Sequence, residues 1–339
     1  MKNKIGVLLV NLGTPDSPSV PNVRKYLKEF LMDERVIDIP YLSRWMLINF
    51  IIAPFRSPKS AREYSRLWDE RGSPLKYYGE DVTLALQQKL GNNYVVELAM
   101  RYQSPGIEAG LNKLKKQSVG EIVVVPLFPQ YASASTGSVI QKVNEIVNEW
   151  QTIPDLKFVS NFLDHPMFID AFAENARRLM EKQEYEYVVF SYHGLPERQI
   201  LKGSDNGYCQ LSASCCAKYG AKNKLCYRAQ CYETSRLLAA ALNLSEDGYT
   251  TTFQSRLGKN PWIKPYTDVI LQDLPGKGKK KVLVFSPAFI ADCLETSIEV
   301  GEQFKNDFIA SGGEIWDLVP SLNNEPKWIE CLEDLVRER

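Results

Sequence analysis

The sequence has no apolar run long enough to cross a bilayer, no excess of either charge, and only two histidines in 339 residues. A transmembrane helix needs roughly 20 consecutive apolar residues. The most apolar stretch, WMLINFIIAPF from Trp45 to Phe55, falls well short of that. Lys plus Arg and Asp plus Glu both number 41, so the formal net charge is zero. A dedicated nucleic-acid binder normally carries a basic excess, so that class is set aside. The N-terminus does not read as an export signal. Ile5 to Leu12 is apolar and follows Lys2 and Lys4, but Asn11 interrupts it, and Gly13-Thr14-Pro15 offers no small-x-small cleavage site. A buried strand ending in a turn is the better reading. The protein is therefore expected in the cytoplasm, with its seven cysteines as thiols or metal ligands rather than disulfides.

What is present is a pattern that occurs twice. Each half begins with a β-rich run that breaks into a Gly-Pro loop: IGVLLVNLGTP from Ile5 and YVVFSYHGLP from Tyr187. Next comes a strand with an Arg near its end, then a loop and a helix: VVELAMRYQSPGIEAGLNKL from Val95 and TTTFQSRLGKNPWIKPYTDVIL from Thr250. The third step is an apolar strand, a loop and an amphipathic helix, from Glu121 and from Lys281. Short Val- and Ile-rich runs read as buried parallel strands, and their alternation with helices argues α/β units with right-handed crossovers. The fold class is α/β, with two similar doubly wound domains whose parallel sheets are flanked by helices. The boundary is placed near Asp155 to Asp164. That gives a Rossmann-like domain over 1–158, a second over 159–315, and a C-terminal helix over 316–339 packing back on the first domain. Sites in such sheets sit in the loops beyond the strand C-termini, so the three loop pairs are where chemistry is expected.

The two histidines differ in setting. His165, in FLDHPMF, stands at a loop-to-helix junction, where capping or packing is the default. His193 follows an apolar strand directly and precedes Gly194 and Pro196, which favours a presented imidazole. Histidine titrates near pH 6.5, so it takes a proton or binds a metal at neutral pH. A second group is Asp292, Glu295, Glu299 and Glu302. At α-helical spacing these fall within about 80° of one face, with Leu294, Ile298 and Phe308 opposite. An isolated acidic stripe is usually a solvated face. This one begins at the end of the VLVFSP strand, in the same half as His193. Carboxylates beside a histidine suit a borderline cation such as Fe²⁺ and also suit proton removal.

FSYHGLPER, FQSRLGKNPWIKPYTD and DCLETSIEV together resemble the ferrochelatase family. LVNLGTP, RGSPL, MRYQSP and PLFPQYASASTGS fit it too, in the family's order and across essentially the whole chain. The resemblance implies a chelatase-like fold and insertion of Fe²⁺ into protoporphyrin IX with release of two protons, the last step of haem synthesis. Rival readings are coproporphyrin as substrate and a non-catalytic tetrapyrrole carrier on the same scaffold. Carried onto this sequence, His193 is the catalytic histidine and Glu295 faces it, both candidates for holding the metal. Asp292 and Glu299 continue an acidic path. Whether the histidine is base or iron ligand stays open. Tyr131 and Arg101 match polar residues of the opposite wall, or else serve packing and an ion pair. Trp262 matches the pocket tryptophan, or is a core residue. Arg71 is either the partner of a porphyrin propionate or a surface arginine. Trp45 to Phe55 resembles the family's apolar lip, which covers the macrocycle and gives peripheral membrane contact; the alternative is an ordinary core helix.

Five cysteines, Cys209, Cys215, Cys216, Cys226 and Cys231, crowd one segment as C-x5-CC-x9-C-x4-C. The spacing is not that of a C-x2-C zinc site. Four thiolates suffice for a [2Fe–2S] cluster. The segment resembles the internal ligand set of some bacterial family members, while the C-terminal set is absent, since only Cys331 stands there. The alternative is a loop with free thiols or zinc. The chemistry itself requires no cofactor, because Fe²⁺ is substrate.

Overall fold

The computed structural model describes residues 4–212, 214–256, 258 and 260–339. Lys2, and Leu257 and Lys259 of the FQSRLGKNPWIKPYTD motif, lie outside the described residues, as does Ala213 in the cysteine segment. Among the described residues, eight strands form two parallel sheets. The first contains β1 (Ile5–Gly13), β2 (Tyr94–Tyr102), β3 (Glu121–Pro126) and β4 (Asp155–Phe158), in the order β2-β1-β3-β4. The second contains β5 (Tyr187–His193), β6 (Tyr249–Gln254), β7 (Lys281–Phe285) and β8 (Ile315–Leu318), in the order β6-β5-β7-β8. The strand order is thus the same in both halves, and every pairing is parallel.

Burial on both faces explains why these strands are apolar without alternation. In β1, Val7 and Leu9 face one core while Leu8 and Val10 face another. In β5, Val188 and Phe190 point the same way as Leu283 and Phe285 of β7, and Val189 points to the outer layer. The inner faces of the two sheets meet in one shared core. Helices Pro166–Met180, Tyr227–Ala241 and Pro326–Arg337 fill it with Phe168, Phe172, Leu238 and Trp328. The last helix packs on Pro166–Met180 and also on Pro74–Leu90 of the first half. His165 holds it from its own helix start, with Nε2 3.1 Å from Asp334 and Nδ1 3.3 Å from Cys331 Sγ. Replacing Trp328 or Phe168 by Ala is expected to cost about 3–5 kcal/mol, the usual penalty for emptying a core aromatic.

Both sheets end their first strand at a tight approach. Gly13 ends β1 with φ 115°, and a Cβ there would lie 2.0 Å from the Tyr102 carbonyl oxygen. Gly194, just after β5, donates its N–H to Gln254 O at 2.7 Å. A Cβ on it would sit 2.9 Å from that oxygen and 3.3 Å from the Trp262 ring. Only glycine fits either place.

Among the described residues, three helical segments are wound as π-helix: Leu47–Ile52, Ser133–Gly137 and Leu294–Phe304. The third corrects the α-helical spacing expected for the acidic stripe. Asp292 precedes that helix and accepts from Asn323 Nδ2 at 2.9 Å. Glu302 pairs with Arg66 at the surface. Leu294 does not lie opposite the carboxylates, because it lines the same cavity as Glu295. Glu299 remains near enough to Glu295 to feel its charge.

Candidate active site

A cavity opens where the strand ends of the two sheets meet. The first half supplies its apolar walls, with Leu12 at the end of β1, Tyr26, Phe30, Tyr64 and Leu67 from two helices, and Leu127 and Phe128 after β3. The second half supplies His193 at the end of β5, Trp262 after β6, and Cys293, Leu294 and Glu295 after β7. The sheet edges thus deliver polar groups from three consecutive loops into an otherwise apolar space, which is the setting expected at strand C-termini.

His193 is fixed in one tautomer. Its ring Nδ1 lies 2.7 Å from the carbonyl oxygen of Gly194, and a carbonyl only accepts, so Nδ1 carries the proton. In the neutral ring the lone pair is then on Nε2, which has no protein partner among the described residues. The backbone beneath is held too, since Tyr227 Oη donates to His193 O at 2.8 Å. The imidazole therefore offers a base or ligand atom at a set position. Glu295, half-buried on the same cavity, begins the π-helix.

Glu299 lies one step beyond Glu295. Its oxygens stand 2.8 and 2.7 Å from Ser255 Oγ, which donates to them. Burial, opposed by that hydrogen bond and reinforced by the charges of Glu295 and Glu63, raises its carboxyl to about 7. Ser255 holds φ 63°, a left-handed conformation costly for serine, directly after β6. In the cavity wall, the Tyr26 and Tyr64 rings meet edge to face, and burial pushes both phenols up so that they stay neutral. The capping box of the π-helix is made by Cys293 and Thr296.

Other residues singled out in the sequence lie elsewhere. Arg101 donates from Nη2 to Asp33 at 2.7 Å and from Nε to Ser138 Oγ at 2.6 Å. Burial alone would raise Asp33, but bonds from Ser138, the Arg35 amide and Tyr102, with the Arg101 charge, hold its carboxyl below the usual value. Arg71 forks onto Asp81 at 3.0 and 2.7 Å and covers the Tyr77 ring. Tyr131 lines a neighbouring polar chamber with Arg35. Asp292 is turned to Asn323. Sequence reasoning passed over Cys293, Tyr26, Phe30 and Tyr64. Cys293 was adjacent to the acidic motif and could have been found there; the three aromatics carry no local signal, since only the tertiary fold brings them to the strand ends.

Residues 4–339 match the profile of the ferrochelatase family. The chain belongs to the ferrochelatase family. A ferrochelatase of Legionella pneumophila (strain Lens) is 45% identical over 334 residues, covering 98% of this chain and 99% of its own. One of Coxiella burnetii (strain Dugway 5J108-111) is 42% identical over 341 residues, covering 99% and 94%. Membership makes the chain an enzyme of haem synthesis that inserts metal into a porphyrin. Two solved structures share the fold. SirB from Bacillus subtilis with Fe³⁺ has TM-score 0.56 at 13% identity, over 99% of this chain and 95% of that one. The sirohydrochlorin chelatase SirB of B. subtilis subspecies spizizenii, in complex with cobalt, has TM-score 0.54 at 12% identity, over 99% and 94%.

Ferrochelatase membership leaves the cysteine segment to be described by itself. Burial and the neighbouring thiols of Cys226 and Cys215 raise Cys209, and the Cys226 thiol with burial raises Cys216. Cys215 and Cys216 Sγ are 4.0 Å apart. Arg228 Nη1 donates to Cys216 Sγ at 3.1 Å. Cys226 stands at the start of helix Tyr227–Ala241. The Cys216 thiol, with the amides of Ala229 and Arg228, outweighs burial and lowers Cys226 to about 6. Cys231 is fully buried in the shared core. Among the described residues no three His, Cys, Asp or Glu side chains are arranged to hold a single metal ion. Four neighbouring thiols match in kind and number the donors of a two-iron cluster, which takes two thiolates at each iron.

Proposed function

We propose that the chain inserts Fe²⁺ into protoporphyrin IX, with His193 Nε2 accepting a pyrrole proton and Glu295 serving the metal or the second proton from the same cavity. The observation that carries this is the locked tautomer, since Nδ1–H is committed to Gly194 O and Nε2 is the free atom in an apolar space. A free porphyrin keeps its N–H hydrogens inward, so a site that binds a distorted ring favours the transition state over the flat ground state. Glu299, raised by burial, is placed to take a proton onward from Glu295. The apolar walls of Leu12, Phe30 and Phe128 support protoporphyrin over the more highly charged coproporphyrin. Anaerobic loss of porphyrin fluorescence with Fe²⁺ tests the reading. Wild type is expected to turn over protoporphyrin, and His193→Ala to lose at least a hundredfold in kcat while still binding the ring. Turnover of coproporphyrin alone would change the substrate and keep the site; binding without turnover would return the carrier reading.

Cys209, Cys215, Cys216 and Cys226 would hold a [2Fe–2S] cluster, which supplies a one-electron redox centre when bound. The nearness of these thiols, with Cys215 and Cys216 Sγ 4.0 Å apart, supports this, and Cys231, buried in the shared core, stays outside the set. Anaerobically purified protein is expected to be coloured, with iron and sulfide in equal amounts. Cys231→Ser should keep the colour and Cys226→Ser should lose it. Colourless, metal-free wild type would end the assignment.

Peripheral membrane contact is supported by the helical run from Tyr41 to Leu67. Phe50 is 63% and Phe55 78% exposed, and Leu42, Met46 and Ile51 are exposed beside them. Arg56, Lys59 and Arg62 follow on an exposed face. An apolar patch edged with cations suits an anionic bilayer surface. Among the described residues no helix is long and apolar enough to cross a membrane.

A further inference from the structure

The first turn of helix Tyr227–Ala241 stands between the thiol segment and the cavity and bonds to both. Tyr227 lines the cavity and donates to His193 O at 2.8 Å. Gln230 accepts the Tyr131 amide on Oε1 at 2.6 Å and donates from Nε2 to Lys224 O at 2.6 Å. Cys226, the residue before the helix, is one of the four thiols assigned above to the cluster.

Arg228 is the group of this turn that metal insertion does not use. It is 6% exposed. Nη1 donates to Cys216 Sγ at 3.1 Å and to Ser212 O at 3.0 Å. Nη2 donates to Tyr232 Oη and to Lys264 O, both at 3.3 Å. The guanidinium carbon also lies 4.8 Å from the centre of the Tyr232 ring. Among the described residues no carboxylate pairs with it. Arg236, further along the same helix, is by contrast paired with Glu233. A guanidinium keeps its charge in proteins, and burying one without a counter-charge is unfavourable. The negative charge that Arg228 meets is therefore carried on sulfur.

We infer that Arg228 is a positioning residue for the thiol-held cluster, supplying its counter-charge and linking it to the porphyrin cavity. The inference rests on Cys209, Cys215, Cys216 and Cys226 holding that cluster. A two-iron centre with four thiolates is anionic, and one-electron reduction makes it more so. A fixed cation on a ligand sulfur stabilises the reduced form more than the oxidised form, and hydrogen bonds to sulfur act in the same sense. Arg228 therefore raises the potential. Its other nitrogen holds Lys264 O, two residues beyond Trp262 of the cavity wall. Charge added at sulfur draws the guanidinium toward Cys216 and slackens its hold on that wall, so the two sites are coupled in both directions.

The test is a redox titration of anaerobically purified protein, read by the electron paramagnetic resonance of the reduced cluster, with and without mesoporphyrin IX and with no iron added. Arg228→Met is expected to lower the equilibrium constant for reduction at least tenfold, about 59 mV for one electron. Arg228→Lys should recover part of that loss. Arg228→Gln keeps an N–H donor without the charge and should show the same fall, so the inference stays testable if Arg228→Met assembles no cluster. Mesoporphyrin should shift the wild-type constant severalfold and the Arg228→Met or Arg228→Gln constant less than twofold. A potential unchanged in both variants would make Arg228 a brace of the segment and overturn the inference. A mesoporphyrin shift absent from wild type, or kept in full by the variants, would overturn the link to the cavity. A wild type without a cluster would instead remove the reading of the thiols on which the inference depends.

Discussion

The two halves share a strand order and differ in what their loops carry. β1 ends in Asn11, Leu12 and Gly13; β5 ends in His193, with Gly194 and Leu195 following. After β3 the chain presents Leu127 and Phe128 to the cavity; after β7 it presents Cys293 and Glu295. At the ends of β2 and β6 the contrast recurs. Arg101 is tied into Asp33 and Ser138, whereas Ser255 supports the ionisable Glu299. One copy of the framework supplies apolar walls to the cavity, and the other supplies its histidine and carboxylate. A duplicated sheet lets the two demands, apolar burial and presented polarity, be met by separate loops instead of competing within one.

That division is broken most sharply by rate measurements. Glu295→Gln, in the reactive half, is expected to lower kcat by about 10²-fold or more with KM within a few-fold. Phe30→Ala, in the wall, should raise the porphyrin KM about tenfold and leave kcat near wild type. If both changes fell on kcat, the halves would not be separable. Asp33→Asn comes next. It strips the Arg101 guanidinium of its buried partner and should cost about 3 kcal/mol of stability in urea unfolding, with KM unchanged.

Smaller effects sharpen the comparison. The carboxyl of Glu299 is raised from 4.5 to about 7 on folding. Between those values the folded chain binds the extra proton, so stability falls as pH rises through the window. Glu299→Gln should flatten that slope, by no more than about 2 kcal/mol between pH 5 and pH 8. No group of the wall half is expected to show such a dependence. Smallest in stability is Met46→Ser with Ile51→Ser, two exposed side chains whose loss should leave the urea midpoint within about 0.5 kcal/mol. Their expected readout is weaker co-sedimentation with anionic vesicles. Ile48, between them, is fully buried and would report unfolding instead.

Much of this framework was legible because parallel strands buried on both faces must be continuous apolar runs, as in VLLV and VVVV-like stretches around Val7 and Val123. The duplication was legible for the same reason. His193 could be found because it follows such a run directly. What escaped were contacts made across the fold. Nothing near Arg101 in sequence announces Asp33, 68 residues away, and Arg71 carries no sign of Asp81. Arg44 carries no signal in the sequence, and only its burial without a counter-charge distinguishes it. Spacing could not separate Cys231 from the four neighbouring thiols, because the helix it begins to climb turns it into the shared core. The acidic stripe was misplaced because a 100° period was assumed where the chain winds more widely.

That wider winding has a consequence for how the site changes with descent. A helix closed by i→i+5 hydrogen bonds is what an α-helix becomes when it takes in one extra residue without moving its ends. Leu294–Phe304, Ser133–Gly137 and Leu47–Ile52 all lie at or beside the cavity and the apolar lip. A deletion of one residue after Glu295 would be absorbed within the helix and would swing Glu299 by about 100° around the axis. In this wall a gain or loss of a single residue re-aims a whole row of side chains, which no exchange of one amino acid can do.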